Sequence, residues 1–156
     1  MAPDQLALLG GSPVGAPARP RHPSFDERAI ERAVEMLRGG RTVGLNRNYP
    51  EIAEAEMAIA AWQGVDHCLL ASSGHAALHD CLIGLEIGWG DEVISTPFTW
   101  GASISCILHN NAIPVFADVC PDTGLLDPEA VEAAVTPRTR AILAVHIFGQ
   151  PANMTA

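Results

Sequence analysis

Apolar positions follow a helical spacing in the first part of the chain and fall into short runs after it. Ile30, Ala33, Val34 and Leu37 recur every three or four residues, which places them on one helix face. Ser24, with Glu27 three residues later, reads as a capping box that opens this helix, and Gly39-Gly40 as its end. A second helix is expected from Pro50, a good first-turn residue, through Ile52, Ala55, Ile59 and Trp62 to Gly64. From His67 the spacing changes. The runs 67–71, 92–96, 113–117 and 140–147 are short, mostly apolar and of strand length. Helices are expected between them, over 75–85, over about 99–109, and from Asp127, an N-cap aspartate followed by Pro128. Apolar strands separated by helices of this length predict an α/β fold, with a mostly parallel sheet covered by helices on both faces. Residues 1–23 carry five prolines with Gly10, Gly11 and Gly15, and read as an extended N-terminal arm or equally as an unstructured tail. Residues 24–156 read as one domain without an internal repeat or linker.

Composition narrows the function classes. The 156 residues are 48% hydrophobic and 17% charged, a globular balance. A formal net charge of -9 argues against a nucleic-acid or anionic-membrane surface, which needs clustered basic groups. No run approaches the roughly 18 apolar residues of a membrane span, and residues 1–10 lack the basic and apolar regions of a secretory signal. Cys68, Cys81, Cys106 and Cys120 form no C-x-x-C pair and read as buried thiols of a reducing compartment, so the cytoplasm is expected. All nine basic residues are arginine, and the chain contains no lysine.

The sharpest local feature is Ala71-Ser-Ser-Gly-His-Ala76, a strand turning through glycine into a helix. Unpaired N–H groups at a helix head, at the positive end of its dipole, suit a phosphate. Ser73 and His75 add side-chain donors, and Gly74 permits close approach. The same residues also serve as ordinary turn and cap residues. Trp100 follows the 92–96 strand at its carboxyl end, where α/β folds place ligands, and can stack on a flat heteroaromatic ring. Taken alone, it reads as a core aromatic under the next helix. His75 and His79 have the i, i+4 spacing of metal ligands but lack the glutamate of H-E-x-x-H and a third ligand, so no metal is expected. Asp118, His146 and Gln150 near strand ends either face a pocket or fix loops, and Asp122-Thr-Gly124 reads as a turn.

Eight stretches in order resemble the DegT/StrS family of pyridoxal-phosphate (PLP) sugar and aminocyclitol aminotransferases of fold type I. They are Leu8-Leu-Gly-Gly-Ser-Pro13, Gly64-Val-Asp-His-Cys68 with Ser72-Ser-Gly-His-Ala-Ala-Leu78, Gly88-Trp-Gly-Asp-Glu-Val-Ile94, Thr96-Pro-Phe-Thr-Trp100, Pro114-Val-Phe-Ala-Asp-Val119, Asp127-Pro-Glu-Ala-Val131, Thr136-Pro-Arg-Thr-Arg-Ala-Ile142 and Val145-His-Ile-Phe-Gly-Gln-Pro151. The resemblance covers Leu6 to Met154 and implies the N-terminal part of the fold type I large domain, incomplete over 24–156. It implies that Gly74, His75 and Ala76 hold the PLP phosphate with Ser73 beside them, and that Trp100 stacks on the pyridine ring. His75 stands where the family usually has threonine. Its imidazole can donate to phosphate but is bulkier.

The resemblance also places the aspartate that pairs with the pyridine nitrogen past Ala156, and the Schiff-base lysine further on. Arginine cannot replace that lysine, because it stays protonated. No catalytic residue is therefore expected in this chain, and PLP is expected only with the missing half or a partner chain. Fold type I further implies that later strands part 67–71 from the other three, leaving 67–71 without ladder partners and the sheet looking cut. The function expected is that of the N-terminal half of an aminotransferase moving an amino group from glutamate or glutamine to a keto-sugar or keto-cyclitol. A homo- or hetero-oligomer is expected, since the family builds its sites at dimer interfaces. The alternatives are a non-catalytic scaffolding partner of an active homologue and a dehydratase of the same family.

Overall fold

The computed structural model describes residues 24–40 and 50–155. The proposed arm, 1–23, lies outside the described residues. Two compact units divide the chain, residues 1–55 and 56–156.

In the first unit, α1 spans Glu27–Arg38. Its cap is Asp26 and not Ser24, because the Asp26 carboxylate accepts the Ala29 N–H at 2.8 Å. A carboxylate is the stronger acceptor and also meets the positive end of the helix dipole. Gly39 closes the helix as expected, and Gly40 follows in the left-handed region at φ 67°. Arg32 pairs with Glu51 at 2.9 Å. Helix α2 spans Pro50–Gln63 and carries the chain into the second unit, where Gly64 at φ 70° ends it.

The second unit holds helix α3 (Gly74–Gly84), strand β1 (Glu92–Ser95), helix α4 (Ala102–His109), strand β2 (Ile113–Phe116), helix α5 (Pro128–Ala134) and strand β3 (Thr139–Leu143). The strands form one parallel sheet in the order β2-β1-β3. All four residues of central β1 are buried. Val93 points to one face, with Leu82 of α3 and Cys106 and Ile107 of α4, while Ala141 and Leu143 of β3 pack against this cluster. Ile94 points to the other, with Ala117 and Leu126, against which Ala130, Val131 and Ala134 of α5 pack. Alternation along one strand thus produces both layers. Burying a side chain such as Leu82, Val93, Ile94 or Ile107 contributes about 1.5–3 kcal/mol.

Three expected boundaries differ. Residues 67–71 form no strand, and no ladder partner for them exists among the described residues. An apolar run becomes a strand only where another strand takes up its N–H and C=O groups. Here the Leu70 N–H donates to the Glu56 carboxylate at 2.9 Å. Helix α4 starts at Ala102 and not near Thr99, because side-chain bonds hold the preceding turn. The Thr96 hydroxyl accepts the Phe98 N–H at 3.0 Å, and the Thr99 and Ser103 hydroxyls bond at 2.9 Å. Strand β3 ends at Leu143, opposite Ser95, where β1 itself gives way to Pro97. His146 and Ile147 therefore lie beyond the sheet.

Candidate functional site

Helix α3 begins in a way that leaves its head open. Ser73 is extended (φ -163°, ψ 162°), and its Oγ accepts the Ala76 N–H at 3.1 Å. That bond uses a lone pair, so the hydroxyl hydrogen remains free to donate outward. The N–H groups of Gly74 and His75 occupy the first two helical positions, where no earlier turn supplies a carbonyl. A Cβ added at Gly74 would meet nothing within 4 Å, so a ligand can approach the backbone. Ser73 and Gly74 are exposed, and His75 and Ala76 are half-buried. The sequence-predicted phosphate residues are thus together on one turn.

Trp100 lies in the turn between β1 and α4, its carbonyl accepting the Ser103 N–H at 3.0 Å. Its side of the turn faces solvent, and the residue is 83% exposed. Among the described residues Trp100 is therefore not a core aromatic, since none of their elements covers it. Two further aromatics, which sequence reasoning missed, stand at the same end of the sheet. Phe98 packs over Gly124, where a Cβ would come within 3.4 Å of its ring. Phe148, in the left-handed region at φ 52°, meets Phe98 edge to face at 6.2 Å. The F-T-W and H-I-F-G stretches after two strands were the available signal.

The His75 side chain turns to α4. Its Nε2 lies 3.1 Å from Nδ1 of His109, its Nδ1 lies 3.3 Å from Ser105 Oγ, and the two rings meet edge to face. Sequence reasoning gave Ser105 and His109 no role. Two polar residues four apart on a largely apolar helix were the signal that such a contact exists. With both ring nitrogens engaged, His75 does not pair with His79 as a metal ligand. Among the described residues, no three His, Cys, Asp or Glu side chains cluster as a metal site.

The remaining candidates fix loops. His146 Nδ1 accepts the Ala152 N–H at 2.9 Å, folding the segment after β3. Asp118 Oδ1 accepts the Val119 N–H at 2.8 Å. Gln150 is exposed, its N–H bonded to the Ile147 carbonyl at 3.0 Å. Asp122 to Gly124 is a turn, closed by the Gly124 N–H on the Cys120 carbonyl at 2.8 Å. Burial pushes the Cys106 thiol up, and burial together with nearby Asp127 does the same to Cys120, so neither is poised as a nucleophile.

Comparisons with known proteins bear on the family and the fold. The model of the DegT/DnrJ/EryC1/StrS aminotransferase family matches residues 23–156. The chain is 44% identical over 155 residues to the L-glutamine:2-deoxy-scyllo-inosose aminotransferase of Streptomyces lividus, covering 97% of this chain and 36% of that protein. Among solved structures, 3-amino-5-hydroxybenzoic acid synthase superimposes with a TM-score of 0.80 at 36% identity, over 90% of this chain and 36% of that one. An aminotransferase from Psychrobacter cryohalolentis gives a TM-score of 0.75 at 35% identity, over 83% of this chain and 32% of that one. The chain thus spans about a third of the length of the proteins it matches, and its fold is the N-terminal part of the fold type I large domain.

Proposed function

From the chain's membership of the DegT/DnrJ/EryC1/StrS aminotransferase family, we propose that it is the phosphate-holding and ring-stacking part of a PLP-dependent aminotransferase. Its amino acceptor is a keto-cyclitol or keto-sugar, and its donor is glutamine or glutamate. The observation that carries this reading is the open head of α3 on a chain that also presents an exposed Trp100.

The residues fit the cofactor. The N–H groups of Gly74 and His75 and the Ser73 hydroxyl offer donors to a phosphate dianion at the positive end of α3. Gly74 leaves the approach clear. Trp100 offers a flat apolar face to the pyridine ring. PLP, when bound, supplies the carbonyl carbon and the electron sink that amino transfer requires. The chain's part is to hold and orient. It has no lysine, so the amine that bonds the cofactor and moves the proton comes from further sequence or a partner subunit.

The absence of lysine also supports a second reading, a non-catalytic partner of an active homologue. A same-family dehydratase is the other variant. Residues 1–23 serve as an arm on a neighbouring subunit and 24–156 as the partial large domain, in a homo- or hetero-oligomer. Four free cysteines and the lack, among the described residues, of any helix able to cross a membrane fit a cytoplasmic enzyme.

The test is to purify the chain from its native context, identify copurifying polypeptides by mass, and assay amino transfer from L-glutamine to 2-deoxy-scyllo-inosose. A lysine-bearing partner with activity supports the split enzyme. A partner active to the same degree without this chain would support the scaffold. No PLP binding in any assembly would defeat both.

A further inference from the structure

We propose that Ser105 and His109 are positioning residues that lock the His75 imidazole against α4, so that His75 serves the phosphate cup through its backbone N–H alone. This rests on the reading of the α3 head as a cofactor site.

A side chain at the second position of a helix can bend toward an anion at the helix head or lie against a neighbouring element. His75 does the second. Its two ring nitrogens meet two polar side chains one turn apart on α4, Ser105 at 3.3 Å and His109 at 3.1 Å. Proton counting makes the lock complete. In one arrangement the Ser105 hydroxyl donates to Nδ1, and the Nε2–H of His75 donates to His109. In the other, the His109 Nδ1–H donates to Nε2, and the Nδ1–H of His75 donates to Ser105. Neither leaves the His75 ring a hydrogen for phosphate. The imidazole is thereby tolerated beside the cup without acting as a phosphate ligand.

The experiment uses the full chain, with any partner that copurifies, labelled with nitrogen-15. Scalar coupling between His75 Nε2 and His109 Nδ1 is read by NMR, and PLP affinity is measured by titration. The coupling is expected in the wild type. His109→Ala is expected to shift the His75 ring nitrogens. His109→Asn, whose amide reaches the place of Nδ1, is expected to return them toward wild-type values and can be read even where the alanine variant does not fold. His75→Ala should change PLP affinity by less than about twofold. Ser105→Ala with His109→Ala should weaken it by about fivefold as the freed ring crowds the cup, and adding His75→Ala should restore it.

A tenfold or greater loss in His75→Ala would make the ring a phosphate ligand and overturn the proposal. So would ring nitrogens indifferent to His109. Missing coupling with PLP binding intact sinks the lock alone. Coupling without any PLP binding sinks the cofactor reading and, with it, the lock's role.

Discussion

The amino and carboxyl ends of the three-stranded sheet are built on opposite terms. At the amino end, Glu92 is only 4% exposed and its carboxylate is fully engaged. The Thr136 hydroxyl donates to one oxygen and the Arg138 guanidinium to the other, tying the start of β1 to the turn before β3. The Glu92 N–H donates to the Arg138 carbonyl at 2.9 Å, so main chain and side chain close the same junction. At the carboxyl end, Trp100 and Phe148 are 83% and 91% exposed. Phe148 also sits in a backbone region that costs a non-glycine residue about 1–3 kcal/mol. Saturated bonding at one end holds register, and exposed aromatic surface at the other is open to a ligand.

The two ends are joined through the middle of the sheet. Ile94, fully buried in central β1, holds both ends, and Ile94→Ala should cost about 2–5 kcal/mol, visible as a large fall in melting temperature. Ser73→Ala separates the roles less cleanly, since Ser73 caps α3 as well as facing the cup. It should cost about 0.5–2 kcal/mol of stability by thermal melt and weaken PLP binding as well. Trp100→Ala sharpens the contrast. It should leave the melting temperature unchanged and weaken PLP by about two- to tenfold, the worth of one aromatic stack.

The smallest effect near neutrality is that of pH at the amino end. The Thr136 hydrogen bond and the Arg138 guanidinium outweigh burial and hold the Glu92 carboxyl below its ordinary value. The depressed folded value means that its stabilisation is present in full above the ordinary carboxylate range. It is lost as pH falls through the lowered folded value. Melting temperature should be flat through neutrality and fall in acid, and Glu92→Gln should flatten the acid limb.

Much of this was legible where local chemistry decides. Gly64 ended α2, Asp127-Pro128 opened α5, and the 92–96 and 113–117 runs became strands within a residue. Legibility failed where a partner decides. Residues 67–71 have strand composition, but a strand is a property of a pair, and only the resemblance to a larger fold pointed to the missing ladder partners. The Ser73–Ala76 turn was readable because a cap and a glycine are local, whereas the direction of the His75 ring depends on how α3 packs on α4. The cluster of Phe98 with Phe148 joins loops fifty residues apart, a distance no spacing pattern spans.

The most direct measurement is a paired titration of PLP and of pyridoxal, which lacks the phosphate, into the chain with any copurifying partner, repeated for Trp100→Ala. PLP is expected to bind far more tightly than pyridoxal, and Trp100→Ala to weaken both ligands while leaving the melting temperature in place. Equal affinity for the two ligands would contradict a phosphate cup at the head of α3, and an unchanged affinity in Trp100→Ala would contradict the stacking face.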